Sequence, residues 1–205
     1  MAVQAKTFFI VEDHTVTNLG LQTLIKEKTG AECLGAAFTK SEAEEKLSRF
    51  KELPDIVILD LYLGKESGLE LLKTIRNDYP SVKVLVYSMY SKPGILSITL
   101  EHGAHGFVDK SAPESVLITA IKSILDGETY VQQNLISPLF TYKTMYDGLT
   151  RQEQKILTKL LEQKSKSQIS NELNIVPRTV DNYVSRILDK TGCRNLEEIF
   201  EKFAK

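Results

Sequence analysis

Short apolar runs alternate with helical patterns through the first 127 residues, and this alternation restricts the fold more than any other feature of the sequence. Uninterrupted apolar runs are typical of parallel strands that are buried on both faces. We interpret five segments as such strands: TFFIV at 7–11, the stretch around 33–36, DIVILD at 55–60, VKVLVYS at 82–88 and GFV at 106–108. The sequence therefore predicts an α/β fold, a doubly wound five-stranded parallel sheet with helices on both faces.

Helical patterns fill the intervals between these runs. Thr39 and Glu42 have the spacing of a capping box, and Ala43 and Leu47 follow on one helix face. Five helices are predicted. The first covers 15–28, the second begins at 39, the third begins at 67, the fourth covers 92–102, and the fifth begins after 113. Each predicted strand is thus followed by a helix, which is the connection that parallel strands need.

After residue 127 the alternation stops. We predict a linker at 128–147, with a short helix near 135–144, between a domain at 1–127 and a small all-α domain at 148–205. Helix-start signals in the second domain occur at four positions: Thr150, Ser165, Pro177 and Asn195. A tight segment at 174–176 joins the second and third of these helices, and this spacing is typical of a helix-turn-helix.

Composition excludes several classes of protein. No apolar run in the 205 residues approaches the roughly 20 needed to cross a bilayer, and the N-terminus becomes acidic too early for a signal peptide. We therefore expect a cytoplasmic protein without a membrane partner. Cys33 and Cys193 are too few for a disulfide framework. Residues 148–205 carry a net charge of +3 and the rest −4, which indicates two modules with different partners.

Acidic and polar side chains follow the predicted strands at their carboxyl ends, where a doubly wound sheet binds ligands. These side chains are Glu12 and Asp13 after the first strand, Asp60 after the third, Ser88 after the fourth and Lys110 after the fifth. Three converging carboxylates repel one another unless a hard cation such as Mg²⁺ shares the site. A carboxylate there can attack a phosphoryl donor and form an acyl phosphate, while Lys110 neutralises charge on the transferred group.

Residues 5–127 resemble the receiver domain of two-component response regulators. The matching strings are FIVEDH at 9–14, DIVILDLYLGKESGLELLKTIR at 55–76, VLVYSMY at 84–90 and GAHGFVDK at 103–110. The resemblance implies that Asp60 is the phosphoacceptor. It also implies that Mg²⁺ is bound by Glu12, Asp13, Asp60 and the backbone carbonyl of Tyr62.

Three further roles follow from the same resemblance. Ser88 and Lys110 stand at the positions of the family's switch hydroxyl and lysine, which contact the phosphoryl group. Phe107 matches the switch aromatic, which rotates inward on activation. The sequence departs from the family pattern at Thr15 and Gly64, both of which replace a common proline, and Gly64 predicts a more mobile loop after the phosphoacceptor.

Tyr62 and Tyr90 are bulky side chains, and each stands two residues after a predicted site residue. We hypothesise that they screen the phosphoryl group from water and slow its hydrolysis. Replacing either tyrosine by alanine is expected to shorten the lifetime of the acyl phosphate.

Residues 149–199 resemble the LuxR-type helix-turn-helix domain, which places the whole chain in the NarL/FixJ class of response regulators. On the third tail helix, the side chains predicted to face away from the apolar stripe are Arg178, Asn182, Ser185, Arg186 and Asp189. The predicted DNA contacts on this helix are Arg178, Thr179, Asn182, Ser185, Arg186 and Lys190. Further phosphate contacts are expected from Lys164, Lys166 and Arg194. The expected binding mode is a dimer on paired half-sites.

The tail also departs from the family pattern. Asp181 replaces a frequent lysine of the recognition helix, Tyr183 a frequent histidine, and Val176 the usual N-cap serine. An acidic residue near phosphates weakens binding unless it accepts a hydrogen bond from a cytosine amino group. We therefore expect modest affinity from a single domain.

The favoured function is a response regulator that a sensor histidine kinase phosphorylates, which then binds double-stranded DNA as a homodimer and controls transcription. One alternative is an interaction module whose helical tail no longer binds DNA, because of Asp181. Another is an aspartyl-phosphate hydrolase, which needs a second carboxylate two residues after the nucleophile. Tyr62 occupies that position, so we expect no enzyme.

Overall fold

The computed structural model describes residues 6–204. Residues 1–5 and 205, which the predicted domain bounds include, lie outside the described residues. The chain divides into two compact units, one with the chain up to Met89 and Thr99–Gln132, the other with Tyr90–Ile98 and the chain from Gln133 onward. The domain bounds at 127 and 148 stay predictions. Between residues 6 and 204, no helix combines the length and the apolar character that crossing a membrane requires.

The first unit is built on a parallel sheet. The strands in chain order are β1 Thr7–Val11, β2 Glu32–Ala37, β3 Ile56–Leu59, β4 Tyr62–Leu63, β5 Glu66–Ser67, β6 Lys83–Ser88, β7 Gly106–Asp109 and β8 Tyr130–Val131. Among the described residues, the main sheet has six strands in the order β2-β1-β3-β6-β7-β8, and all neighbours are parallel. The order reverses at β1, so the crevice between the carboxyl ends of β1 and β3 is the expected ligand position.

The five predicted strands are confirmed, but the predicted strand count was wrong. β8 adds a sixth strand, and β4 pairs with β5 in a separate antiparallel ribbon. Two-residue strands are too short to show a periodic pattern. Backbone hydrogen bonds define β8 instead: Tyr130 N donates to His105 O at 2.9 Å, and Gln132 N donates to Phe107 O at 3.2 Å.

Helices follow the strands as the sequence predicted. Their bounds are α1 Thr15–Thr29, α2 Lys40–Arg49, α3 Gly68–Asp78, α4 Pro93–Glu101 and α5 Glu114–Leu125. Thr39 caps α2 by accepting from Glu42 N, and Ser67 caps α3 by accepting from Glu70 N. The side chains of these caps replace intrahelical partners that the first turn lacks.

The core lies on both faces of the sheet. Phe8 and Ile10 belong to a buried cluster that includes side chains of α1 and α5, such as Ile25 and Ile121. Successive strand residues point to opposite faces, and Phe9 accordingly packs edge-on against Phe50 at the end of α2, with ring centroids 5.4 Å apart. Burial on both faces explains why the strands are continuously apolar.

The predicted linker is largely helical. Helix α6 spans Gln133–Asp147 and is longer than the short helix predicted near 135–144. Pro138 lies inside α6, and an internal proline weakens the helical pattern in the sequence. Leu135 and Tyr142 are the buried side chains of this helix.

The four predicted tail helices are confirmed. They are α7 Arg151–Leu161, α8 Lys166–Leu173, α9 Pro177–Thr191 and α10 Leu196–Phe203, and we call them together the helical tail. Thr150 and Ser165 each form a complete capping box with the residue three positions on. Buried apolar side chains from each helix form the core of the tail, among them Ile156, Ile169, Val184, Ile187 and Ile199.

The turn between α8 and α9 is fixed by its backbone. Asn174 adopts the left-handed conformation with φ of 51°, which asparagine tolerates better than most residues. Ile175 N donates to Ser170 O at 3.0 Å, and the Ser170 hydroxyl donates to Ile175 O at 2.5 Å. Pro177 begins α9, where its fixed φ suits the first helical turn. The predicted tight helix-turn-helix segment at 174–176 is therefore confirmed.

Candidate phosphoacceptor site and DNA-binding helix

The carboxyl ends of the strands bring the predicted acidic and basic side chains together. The Lys110 ammonium lies 2.5 Å from Glu12 Oε2 and 2.6 Å from Asp60 Oδ2. Both carboxylates are buried. Burial opposes the charge on Lys110, but hydrogen bonds to Asp60 and Glu12 outweigh it, so the pKa of Lys110 is raised. The lysine therefore bridges two acidic groups that belong to different strands.

The other oxygen of Asp60 is held as firmly. The Ser88 hydroxyl, which is fully buried, donates to Asp60 Oδ1 at 2.9 Å. The backbone N–H of Tyr62 donates to the same oxygen at 3.2 Å. Asp60 thus accepts hydrogen bonds at both oxygens, and its carboxylate orientation is fixed by groups after β3, β6 and β7.

Asp13 adds a third carboxylate to this pocket, and one of its oxygens could bind a cation. Its Oδ1 is buried and lies 2.8 Å from His14 Nδ1, but among residues 6–204 it makes no hydrogen bond of good geometry. Asp13, Glu12 and His14 can each offer one ligand atom within 4.8 Å of the others. A buried carboxylate oxygen without a well-directed hydrogen bond is the kind of atom that a cation satisfies.

His14 and Asn18 are residues that the sequence reasoning missed. His14 Nδ1 lies 3.1 Å from Glu12 Oε1 and 2.8 Å from Asp13 Oδ1. Asn18, fully buried on α1, donates to the Glu12 backbone carbonyl at 3.1 Å. The position of His14 directly after two acids was a usable signal, whereas the reach of Asn18 depends on how α1 packs.

Gly68 holds the backbone of α3 against the pocket. A Cβ on Gly68 would lie 2.0 Å from the carbonyl oxygen of Asp60 and 2.7 Å from Leu61 Cα. Its N–H also donates to Leu61 O at 2.9 Å. Glycine is thus needed here for close backbone approach rather than for an unusual φ.

The helical tail presents a polar helix face. On α9, the side chains of Arg178, Asn182, Ser185 and Arg186 are exposed, and Thr179 is half-buried. Val180, Val184 and Ile187 are buried on the opposite face. The Arg186 guanidinium lies over the Tyr183 ring, 5.6 Å from its centroid. The predicted amphipathic division of this helix is confirmed.

Most basic side chains predicted to contact phosphates are paired with acids within the tail. Lys190 donates to Glu153 Oε2 at 2.7 Å, and Lys166 donates to Asp181 Oδ1 at 2.5 Å. The remaining pairs are Lys164 with Glu172 at 3.3 Å and Arg194 with Glu198 at 3.2 Å. The DNA contacts of these residues stay predictions, and each would involve exchange of a carboxylate for a phosphate.

Two families cover most of the sequence. Residues 8–122 match the response regulator receiver domain, and residues 147–203 match the luxR family of bacterial regulatory proteins. The chain belongs to the response regulators. It is a two-component response regulator with a receiver domain and a LuxR-type DNA-binding domain, and both matched families are regulatory.

Individual relatives agree with this assignment. The oxygen regulatory protein NreC of Staphylococcus aureus is 28% identical over 205 residues, which is 94% of each chain. RcsB from Salmonella enterica serovar Typhimurium, bound to promoter rprA with the phosphomimetic BeF3-, has a TM-score of 0.74 at 20% identity, over 98% of this chain and 100% of that one. A LuxR-family response regulator from Aurantimonas has a TM-score of 0.64 at 26% identity, over 69% and 99%.

Departures of this response regulator from the family pattern now have a structural context. Gly64 has φ of 65° in the turn of the β4–β5 ribbon, close to Asp13 Oδ2. Glu66 in β5 accepts from the Ser41 hydroxyl at 2.7 Å, which ties the ribbon to the start of α2. The loop after Asp60 is therefore a hydrogen-bonded ribbon, and the mobility predicted from Gly64 stays a prediction.

Two further predictions about the receiver domain concern Phe107 and the two tyrosines near the site. Phe107 is fully buried in β7. Its inward rotation on activation stays a prediction because only one position is described. Tyr62 is half-buried and Tyr90 is partly exposed, and their screening of the phosphoryl group likewise stays a prediction.

Proposed function

We propose that Asp60 is the phosphoacceptor of this response regulator. The observation that carries the proposal is the convergence of Lys110, Ser88 and the Tyr62 N–H on one buried carboxylate. An aspartate carboxylate can attack phosphorus and form an acyl phosphate, displacing the donor's leaving group. Lys110 would neutralise charge on the transferred group, and the Ser88 hydroxyl would donate to one of its oxygens.

Mg²⁺ fits the acidic side of the same pocket. The donor set is entirely of oxygen, as magnesium prefers: the carboxylates of Glu12, Asp13 and Asp60 and the carbonyl of Tyr62. The buried Asp13 Oδ1, which makes no hydrogen bond of good geometry among the described residues, supports this assignment. When bound, the cation supplies positive charge that offsets the carboxylates and the incoming phosphoryl oxygens. The carboxylates of Glu12 and Asp60 would then interact with two cations, the Lys110 ammonium and Mg²⁺.

The phosphoryl donor in this proposal is a sensor histidine kinase, the partner that a receiver domain implies. Phosphorylation must stabilise one conformation of the protein more than another in order to act. Ser88 and Phe107 are the residues through which the phosphoryl group would bias that equilibrium. The favoured state is a homodimer, by analogy with RcsB, which is described as two dimers bound to two parallel DNAs.

The DNA-binding element in this proposal is α9, placed in the major groove. Arg178, Thr179, Asn182 and Ser185 lie on its exposed or half-exposed face. Asparagine can pair with adenine and arginine with guanine, and these contacts give sequence preference. Arg186 and Lys190 further along α9 would contact phosphates, which position the helix without reading sequence. Because the luxR family consists of bacterial regulatory proteins, the proposed DNA target implies that this chain works in the cytoplasm.

A single experiment tests the two halves of this function together. The full chain is incubated with acetyl phosphate and Mg²⁺, and intact mass and binding to labelled duplex DNA are followed for the wild type and Asp60→Ala. We expect one phosphoryl group on the wild type only, and tighter DNA binding by the phosphorylated chain. Equal phosphorylation of Asp60→Ala would contradict the assignment of the acceptor. Phosphorylation without any DNA binding would favour the interaction module over the transcription factor.

A further inference from the structure

The acidic residue on the recognition helix has a specific partner in the helical tail. Asp181 on α9 accepts from Lys166 at the start of α8, with Oδ1 and Nζ 2.5 Å apart. About half of each side chain is exposed, 53% for Asp181 and 48% for Lys166. The pair therefore joins the two helices of the helix-turn-helix on a solvent-exposed surface.

An ion pair so exposed contributes little to stability, because water and salt compete with it. Its effect falls instead on any anion that approaches the same ammonium. Lys166 is one of the residues that the sequence predicted to contact a DNA phosphate, and Asp181 already supplies it with an anionic oxygen. A phosphate can gain Lys166 only by displacing this carboxylate or by sharing the ammonium with it.

We propose that Asp181 limits the DNA affinity of the tail by occupying Lys166. This inference rests on the proposed DNA-binding function and deepens it. Neutralising one phosphate by a cation releases condensed counterions, and each such contact steepens the dependence of affinity on salt. With Asp181 in place, Lys166 contributes less than a full contact. Asp181 is thus a residue that sets affinity through its partner and reads no base.

Two other roles for Asp181 predict different results. If its carboxylate repels phosphates directly, its removal strengthens binding whether or not Lys166 is present. If it accepts from a cytosine amino group, its removal weakens binding to sites that contain this cytosine. A double-mutant cycle with Lys166 separates these roles from the proposed one.

The experiment measures binding of the full chain, treated with acetyl phosphate and Mg²⁺, to a fluorescein-labelled duplex of mixed sequence over a range of salt concentrations. The variants are Asp181→Asn, Lys166→Met, the double variant, and Asp189→Asn as a control with the same charge change on the same helix. We expect Asp181→Asn to tighten binding about tenfold at low salt and to steepen the salt slope by about one unit. In the Lys166→Met background the same substitution is expected to change neither quantity.

Three results would overturn the inference while leaving DNA binding intact: no change in Asp181→Asn, a gain that persists without Lys166, or an equal gain in Asp189→Asn. Failure of every chain, wild type included, to bind the duplex at low salt would instead overturn the DNA-binding function and the inference with it. Thermal melting of each variant checks folding, and we expect unchanged melting temperatures because the pair is exposed. If Asp181→Asn melts early, Asp181→Ser replaces it in the cycle.

Discussion

The receiver domain and the helical tail both place a lysine ammonium against carboxylates, but at very different depths. Lys110 is 10% exposed and its partners Glu12 and Asp60 are 2% and 6% exposed, whereas Lys166 and Asp181 are about half exposed. A buried ion pair loses its hydration, so removal of one partner leaves an uncompensated charge. An exposed pair exchanges its partner with water, salt or another anion at small cost. The buried pair around Lys110 therefore holds the carboxylates of the pocket in place, whereas the exposed pair of Lys166 and Asp181 can exchange partners at the surface.

The largest test of this contrast replaces each lysine in turn. Lys110→Met leaves two buried carboxylates without their shared ammonium, and we expect the free energy of unfolding to fall by about 3 kcal/mol. Lys166→Met is the matched control, with an expected loss below about 1 kcal/mol. Urea denaturation at neutral pH without divalent cations measures both. Similar losses in the two variants would remove the distinction between the pairs.

A glycine substitution tests how tightly the buried pocket is packed. Gly68→Ala places a Cβ 2.0 Å from the Asp60 carbonyl oxygen, and we expect a loss of about 2 kcal/mol because the backbone must shift. Gly20→Ala on α1 is the control, since a Cβ there meets nothing within 4 Å. That change is expected to stabilise the helix by about 0.5–1 kcal/mol. Thermal melting shows whether the two alanines act with opposite sign.

Acid pH sharpens the comparison by charging a partly buried group in the receiver domain. Burial and the nearby charges of Arg76 and Lys83 lower the pKa of His105 to about 4. Val84 N donates to His105 Nδ1, so the neutral ring acts as an acceptor. The unfolded chain takes up this proton near the ordinary pKa of 6.5, whereas the folded chain resists it until about pH 4. Stability contributed by His105 is therefore complete above pH 6.5 and is lost as the pH falls toward 4.

We expect this loss to be on the order of 1–2 kcal/mol, since partial exposure of the ring reduces the effect. Urea denaturation at pH 7 and pH 5 is compared for the wild type and His105→Gln, which takes up no proton in this range. The wild type is expected to lose more stability than the variant over this interval. Equal losses would assign the acid sensitivity to other groups.

Glu153 supplies an intermediate case, because its carboxylate is buried whereas its partner Lys190 is 42% exposed. It accepts from Lys190 and closes the capping box at the start of α7. The hydrogen bond from Lys190 is the main cause that lowers the pKa of Glu153. We expect Glu153→Gln to cost about 1 kcal/mol, because glutamine can keep the capping box but weakens the charge-assisted hydrogen bond from Lys190. A thermal melt as high as that of the wild type would show that burial does not decide the cost in the tail.

Much of the fold was predictable from the sequence because its signals are local. Uninterrupted apolar runs marked the five long strands, and side-chain caps at Thr39, Ser67, Thr150 and Ser165 marked helix starts. The two-residue strands β4, β5 and β8 are too short to carry a periodic signal, and β8 also pairs with β7, which lies well before it in the chain. The full length of α6 was not predicted because Pro138 lies inside it, and proline is unfavourable in a helix interior.

The candidate site was also predictable only in part. Strand-end positions identified Glu12, Asp13, Asp60, Ser88 and Lys110, because sheet topology alone brings strand ends together. The spacing of residues could not show that Lys110 bridges two carboxylates or that Lys166 pairs with Asp181. Those contacts depend on side-chain directions in the folded chain. For this reason sequence patterns alone could not show that the three tail lysines predicted to contact DNA, Lys164, Lys166 and Lys190, have acidic partners.

The central claim of this account is that the acyl phosphate forms on Asp60. Borohydride reduction converts a phosphorylated aspartate to homoserine, so peptide mass analysis after treatment with acetyl phosphate and Mg²⁺ locates the modified residue directly. We expect homoserine at position 60 and a marked loss of this signal when EDTA removes the cation. Homoserine at position 13 or at another acidic residue, or a signal at 60 that is indifferent to EDTA, would contradict it.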